Sequence, residues 1–249
     1  MISPRKIPSF ARAADALLDL IFPRECPVTG EPPDDTSPFR HLSPAAVREL
    51  PIVYPPCCDT CGAPFFGVLA GPQVCVHCRD LEPEFDSGRT VMLARDSGRV
   101  LIHELKYHGA RHLAGDLARL ATLAPGYLER LRGAVLVPVP LHPKKFRKRG
   151  FNQSLLIARE LAKLAPGARV VELLDRVKDT GSQTRLDRDD RRKNADGAFA
   201  LRRGATPDPA LPHVVIDDVF TTGATLNACC ETLRAAGITR LAVATLAHG

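Results

Sequence analysis

Apolar positions fall into three textures along the chain. In residues 9–22, Phe10, Ala13, Ala14, Leu17, Leu18 and Ile21 recur at helical spacing and predict an amphipathic helix. Residues 23–88 lose that periodicity and are rich in Pro, Gly and Cys; such a stretch rarely builds a core without a staple. From residue 89 short apolar runs alternate with helical patterns. The expected order is a strand at 89–94, helices at 100–106 and 112–123, a strand at 134–139, an amphipathic helix at 152–164 and a short strand at 170–174. Residues 176–196 are highly charged and read as a loop, and a strand–helix–strand unit closes the chain at 214–218, 226–236 and 240–246. This alternation predicts an α/β fold, a mostly parallel sheet with helices on both faces. Three parts follow: an N-terminal amphipathic helix (1–22), a small zinc-ribbon-like module (23–88) and an α/β domain (89–249).

The last unit carries the most informative chemistry. Val214, Val215 and Ile216 run into Asp217 and Asp218, and Thr221, Thr222, Gly223, Ala224 and Thr225 then open a helix. A helix N-terminus leaves four N–H groups without intrahelical partners at the positive end of the dipole, so it binds anions. The threonine hydroxyls add donors, and Gly223 lets the backbone approach a ligand closely. Carboxylates at a strand end accept strongly from hydroxyl groups. A phosphate at one end and a diol at the other describe a ribose 5-phosphate. The segment resembles the phosphoribosyl-pyrophosphate loop of type I phosphoribosyltransferases.

Cys58-x-x-Cys61, thirteen residues, then Cys75-x-x-Cys78 is a paired-knuckle spacing. Four thiolates suit a structural Zn²⁺ and leave no open coordination position, which speaks against a catalytic metal. Cys57 is a less regular substitute for Cys58. Cys26-Pro-Val-Thr29-Gly30 looks like a knuckle whose second Cys has become Thr, and one Cys with His41 does not complete a site. Cys229 and Cys230 are adjacent in an expected helix and read as packing residues.

The strand through Val137, Pro138 and Val139 runs into a loop bearing Lys144, Lys145, Arg147, Lys148 and Arg149, followed by Gly150-Phe151-Asn152-Gln153. Together with Arg176-x-Lys178, Gln183, Arg191-Arg192-x-Asn194 and Phe199, and with the preceding knuckle, this set resembles the ComF family over nearly the whole chain. That family is associated with competence, the uptake of DNA in natural transformation. Its members often carry further N-terminal Cys pairs, which are lacking around residues 29–43 here. The resemblance implies that Asp217 and Asp218 hold the ribose diol, that residues 221–225 cradle the 5-phosphate, and that Val137, Pro138 and Val139 form the pyrophosphate-side loop. It implies that Arg176 and Lys178 sit in a segment closing over the ligand, and that Mg²⁺ bridges the pyrophosphate oxygens.

Charge sharpens the choice of ligand. The net charge is +6, but residues 25–86 carry −7 and residues 87–249 carry +11, so the C-terminal part suits a polyanion. Two ligand classes remain: phosphoribosyl pyrophosphate, with turnover by a nucleobase-salvage phosphoribosyltransferase as one version, and single-stranded DNA. In the second, Phe146 and Phe151 interleave with the five cations. A competence helicase-like protein is a partner suggested by the resemblance alone. Trp is absent and aromatics are 5% of the chain, so no base-stacking pocket can be named. Lys106, Tyr107 and His108 form a polar cluster for which a satisfied surface cluster is the favoured reading, by the usual exposure of such residues, and a role beside the ligand the alternative. At 45% apolar residues the chain is not disordered. No apolar run approaches the ~18 residues of a membrane span, Asp15 and Asp19 interrupt any signal-peptide pattern, and a cytoplasmic setting without disulfides is expected.

Overall fold

The computed structural model describes residues 24–65, 74–178 and 197–249. The helix expected over residues 9–22 and most of the charged loop expected over 176–196 lie outside the described residues. The chain forms two compact units, Met1–Glu49 and Leu50–Gly249.

In the first unit the described residues centre on Cys26, which is 1% exposed. Burial pushes its thiol up, but the N–H groups of Ser43, Thr29 and Val28 and the Thr29 hydroxyl outweigh that and bring it below its ordinary value. Thr29 Oγ1 and Ser43 Oγ are 2.9 Å apart. Ser43 also opens helix α1 (Pro44–Glu49), its Oγ accepting from the Ala46 N–H at 3.1 Å. Gly30 takes φ +71° and donates to Cys26 O at 2.8 Å. The turn is a knuckle in shape, closed by hydroxyls rather than by a second thiol.

The second unit begins with the other cysteine turns. Gly62 takes φ +80° and donates to Cys58 O at 2.8 Å, and Cys75 opens helix α2 (Val76–Leu81). A five-stranded, wholly parallel sheet follows, ordered β1 (Ser87–Leu93), β7 (Leu241–His248), β6 (His213–Phe220), β2 (Val135–Pro138) and β3 (Arg169–Val170). Val214, Val215 and Ile216 are at most 1% exposed, as expected of a central strand covered on both faces. The helices are α3 (Asp96–Tyr107), α4 (Ala114–Leu120), α5 (Tyr127–Leu131), α6 (Pro143–Arg149), α7 (Gln153–Leu164) and α8 (Ala224–Ala235). Among the described residues no helix is long and apolar enough to cross a membrane.

Three expected elements change. The strand expected at 170–174 divides into β3 and β4 (Leu174–Arg176), and β4 leaves the main sheet to pair antiparallel with β5 (Phe199–Leu201). The helix expected at 112–123 begins as a 3₁₀ turn, Arg111–Leu113, before α4. The basic loop is a helix, α6. His142 precedes it, Pro143 occupies the first turn where a missing N–H costs nothing, and Gly150 ends it at φ +78°.

β2 connects onward to β3 on one side and β6 to β7 on the other, so the strand order reverses between two neighbours. In an open α/β sheet such a switch point opens a crevice at the carboxyl ends of the strands. The loops after β2 and β6 meet there.

β1 packs tightly against the first cysteine turn. A Cβ on Gly88 would stand 2.6 Å from Thr60 O and 2.8 Å from Val243 Cγ2. Gly88→Ala is therefore expected to destabilise the protein by about 1–3 kcal/mol, measured as a lowered urea midpoint with an unchanged m-value.

Candidate functional site

A cavity of about 640 Å³ occupies the crevice between β2 and β6. Its wall joins residues from five segments: Lys106–Gly109 at the end of α3, Val139 and Leu141 after β2, the inner face of α6 with Phe151 and Gln153, Arg176 of β4, and the turn from β6 into α8.

Asp217 and Asp218 form its acidic centre. Asp218 is 3% exposed, and Lys106 Nζ lies 3.0 Å from its Oδ2. Asp217 Oδ1 accepts from Ser154 Oγ at 2.8 Å and from the Asp218 N–H at 2.9 Å. Burial is the main force raising the Asp217 carboxyl to about 7, with the Asp218 charge pushing the same way and Lys106 opposing both. Burial alone would lower the Lys106 ammonium, but Asp218 and Asp217 hold it above its ordinary value. Two carboxylates thus share one lysine on the wall of the cavity, an arrangement common at functional sites.

Beside them lies the N-terminus of α8. Gly223 caps it at φ +77°, and Thr221, Gly223 and Thr225 face the cavity. Thr222 Oγ1 instead lies 3.4 Å from the Ala224 N–H, and neither Thr222 nor Ala224 lines the cavity. The remaining wall is cationic. Lys145, Lys148 and Arg149 share the cavity face of α6, whereas Lys144 and Arg147 point away from it and are exposed. This division follows from helical spacing. Arg149 is held by Gln153 Oε1 at 2.6 Å. Arg176 lies over the Phe199 ring at 5.2 Å and also lines the cavity, but Lys178 is exposed and does not. Val139 reaches the wall, while Val137 and Pro138 are buried within β2 and do not line it. Asn152 ties the loop down: its Nδ2 donates to Val139 O at 3.0 Å while its Oδ1 caps α7 by accepting from the Ser154 N–H at 3.0 Å.

Two features are under-read in the sequence. Lys106, Tyr107 and His108, for which the sequence favours a surface cluster over a role beside a ligand, all line the cavity. The available signal was the buried stripe Leu101, Ile102 and Leu105, which places Lys106 on the flank of the packed face. Aromatics also reach the cavity, as Tyr107 and Phe151. Both are already partnered, by Arg149 5.7 Å from the Tyr107 ring and Arg111 4.6 Å from the Phe151 ring.

Cys58, Cys61, Cys75 and Cys78 are all buried, with their sulfurs within 4.8 Å of one another. Cys61 Sγ and Cys75 Sγ are 3.6 Å apart, close to the ~3.8 Å edge of a tetrahedron with 2.3 Å metal–sulfur bonds. The Ala63 N–H points at Cys61 Sγ (3.4 Å) and the Cys75 N–H at Cys58 Sγ (3.3 Å). The four could hold a structural metal ion. All eight cysteines are free thiols, and Cys229 and Cys230 are fully buried in α8.

No family model matches the chain. Among curated proteins it is 31% identical over 197 residues to "Competence protein F" of Haemophilus influenzae, covering 78% of this chain and 85% of that protein. It is 32% identical over 181 residues to "DNA utilization protein YhgH" of Salmonella typhimurium, 71% of this chain and 77% of that protein. To "Competence protein ComFC" of Streptococcus pneumoniae it is 28% identical over 110 residues, under half of either chain.

The carboxylate pair makes stability depend on pH. Folding raises the Asp217 carboxyl from 3.8 to about 7, so the folded protein retains a proton that the unfolded chain releases. That stabilisation is complete below about pH 4 and is lost as pH rises through 7. Melting temperature should fall between pH 5 and 8, and Asp217→Asn should flatten the fall and melt higher than wild type at pH 8. Lys106→Met, which strands Asp218, should cost about 1–3 kcal/mol at pH 7 by urea denaturation.

Proposed function

The chain belongs to the ComF family, and from that premise we propose that its α/β unit is a phosphoribosyltransferase-type domain that binds phosphoribosyl pyrophosphate in the cavity between β2 and β6. The observation that carries this is the ordering of charge along one cleft. Thr221, Gly223 and Thr225 stand at a helix N-terminus, Asp217 and Asp218 beside them, and Lys145, Lys148, Arg149 and Arg176 complete the wall. A ligand with a phosphate, a diol and a second anionic group meets a matching partner at each position. The free amides of α8 and the threonine hydroxyls would take the 5-phosphate. The carboxylates would accept from the ribose hydroxyls, with Asp217 losing its proton as the diol and a cation approach. The α6 cations would take the pyrophosphate and stabilise the charge it gains as it leaves C1. Magnesium, implied by the resemblance, would travel on the pyrophosphate oxygens and neutralise them further. Among the described residues, the carboxylates on the cavity wall are Asp217 and Asp218.

Zinc in the four-cysteine cluster is part of the same proposal, in a structural role. Relatives named for competence and for DNA utilization support a setting in the uptake or use of DNA.

Single-stranded DNA is a second reading, supported by the outer face of α6. Lys144 and Arg147 are exposed and do not line the cavity, and Phe146 of the same helix is 48% exposed. Cations beside an exposed ring can track a backbone and stack a base.

Calorimetry with phosphoribosyl pyrophosphate and Mg²⁺ separates the two. Binding by wild type, weakened at least tenfold in Asp217→Asn/Asp218→Asn and in Thr225→Val, is the expected result; absence of binding heat removes the first reading. A pyrophosphate-release screen over nucleobases then tests for turnover. DNA affinity should fall steeply with salt and drop in Lys144→Ala/Phe146→Ala/Arg147→Ala, which leaves the cavity intact. A salt-insensitive or absent gel shift removes the second.

A further inference from the structure

The cysteine cluster and the Thr/Gly turn share one wall of packed side chains, and we propose that Leu81, Phe220 and His248 are positioning residues through which a metal ion in that cluster holds the anion-binding turn in shape. This rests on the turn being the anion site and on a metal occupying the four thiols.

Three contacts carry it. Leu81 closes α2, the helix that contains Cys78, and its Cδ2 is only 2.6 Å from where a Cβ on Gly223 would stand. Phe220 Cζ is 2.7 Å from the same point. The glycine that caps α8 is thus pressed between a side chain of the cysteine module and the last residue of β6. The Phe220 ring stacks on His248 with centroids 5.0 Å apart and planes 13° from parallel. His248 Nε2 lies 3.6 Å from Cys61 Sγ. Two routes therefore run from the thiols to the turn, one through α2 and Leu81, the other through His248 and Phe220.

The segment after α2 fastens the same helix. Glu84 N–H donates to Asn227 Oδ1 at 2.7 Å, and Arg234 Nε donates to Glu84 O at 3.0 Å. Leu81 and Phe220 belong to one buried cluster with Cys58, Cys61, Cys75 and Cys78. Interiors packed at this density transmit displacement rather than absorbing it. A metal ion fixes α2 by holding Cys75 and Cys78 against Cys58 and Cys61. Without it, the four close thiols have no common partner, α2 is released, and Leu81 no longer confines Gly223. Loss of the ion by chelation would then weaken anion binding without substituting any residue on the cavity wall.

Hydrogen exchange on the full chain, read by mass spectrometry, tests this without needing a ligand. In zinc-depleted protein and in Cys58→Ser/Cys61→Ser, amides of residues 221–227 should exchange at least tenfold faster while β2 and α7 keep their protection. Unchanged exchange in the turn overturns the proposal. So does loss of protection across the whole sheet together, which would make the cluster a support of the fold rather than of the turn. Leu81→Ala keeps all four thiols. It should retain one equivalent of zinc, loosen the turn to a similar degree, and bind ribose 5-phosphate at least fivefold more weakly; zinc retained with a wild-type turn overturns the proposal. If the turn loosens in both variants but wild type itself binds no ribose 5-phosphate, the positioning role stands and the anion-site reading fails.

Discussion

Two carboxylates at the end of one buried strand repel each other, and the rest of the site is arranged around that repulsion. Asp217 and Asp218 are consecutive in β6, where a low-dielectric surround penalises each charge and their proximity penalises both. Ser154 and a backbone N–H supply hydrogen bonds to Asp217, and Lys106 supplies a single positive charge. Among the described residues that is one cation for two acids. Burial first, and then the Asp218 charge, raise the Asp217 carboxyl to about 7 despite Lys106. A strand with Val or Thr at these positions would fold with less electrostatic cost, so the pair is a local compromise of stability of the kind that functional sites carry.

The neighbouring cations sharpen this. Lys145, Lys148, Arg149 and Arg176 line the same cavity; Arg149 is held by Gln153 and stands over Tyr107, and Arg176 stands over Phe199, while the ion pair to Asp218 comes from Lys106. The aromatic rings help hold the guanidinium groups in position. A site with separated acidic and basic walls is preorganised for a ligand that has hydroxyls at one place and anionic oxygens at another.

The C-terminal strand–turn–helix was legible because its signals are local: an apolar run, two acids, a Thr/Gly turn and a helix former follow one another within a few residues. The α6 helix was equally local in its marks, Pro143 and Gly150, but its density of positive charge drew the reading toward a loop. Lys106 was not legible in its role. Its partner is more than a hundred positions away, and only the parallel packing of β1, β7 and β6 brings the end of α3 to Asp218. The split of residues 170–176 between two sheets is likewise tertiary, since β4 exists only because β5 returns beside it. The four cysteines were legible as a set by spacing, but their burial against β6 and α8 was not, because nothing in a C-x-x-C turn says what it packs on.

The two cysteine-bearing segments show how much of a knuckle is metal and how much is backbone. Cys26, Thr29, Ser43 and Ala46 have the same spacing as Cys58, Cys61, Cys75 and Cys78. Each first turn ends in a left-handed glycine, Gly30 or Gly62, that donates to the carbonyl of its first cysteine at 2.8 Å. In each the second pair opens a six-residue helix. In the first segment the centre is filled by hydrogen bonds among Cys26, Thr29 and Ser43, and Ala46 is fully buried. In the second it is filled by four thiols with no other hydrogen-bonding residue type among them. The turn geometry is therefore set by the glycine and the carbonyl bond, and the residues at the four positions decide only what joins the turns. Hydroxyls close the first segment with bonds it can make unaided. The thiols of the second are weak donors and acceptors toward one another, and they sit beneath the helix that confines Gly223. The segment whose four positions are all thiols is the one that packs against the Thr/Gly turn.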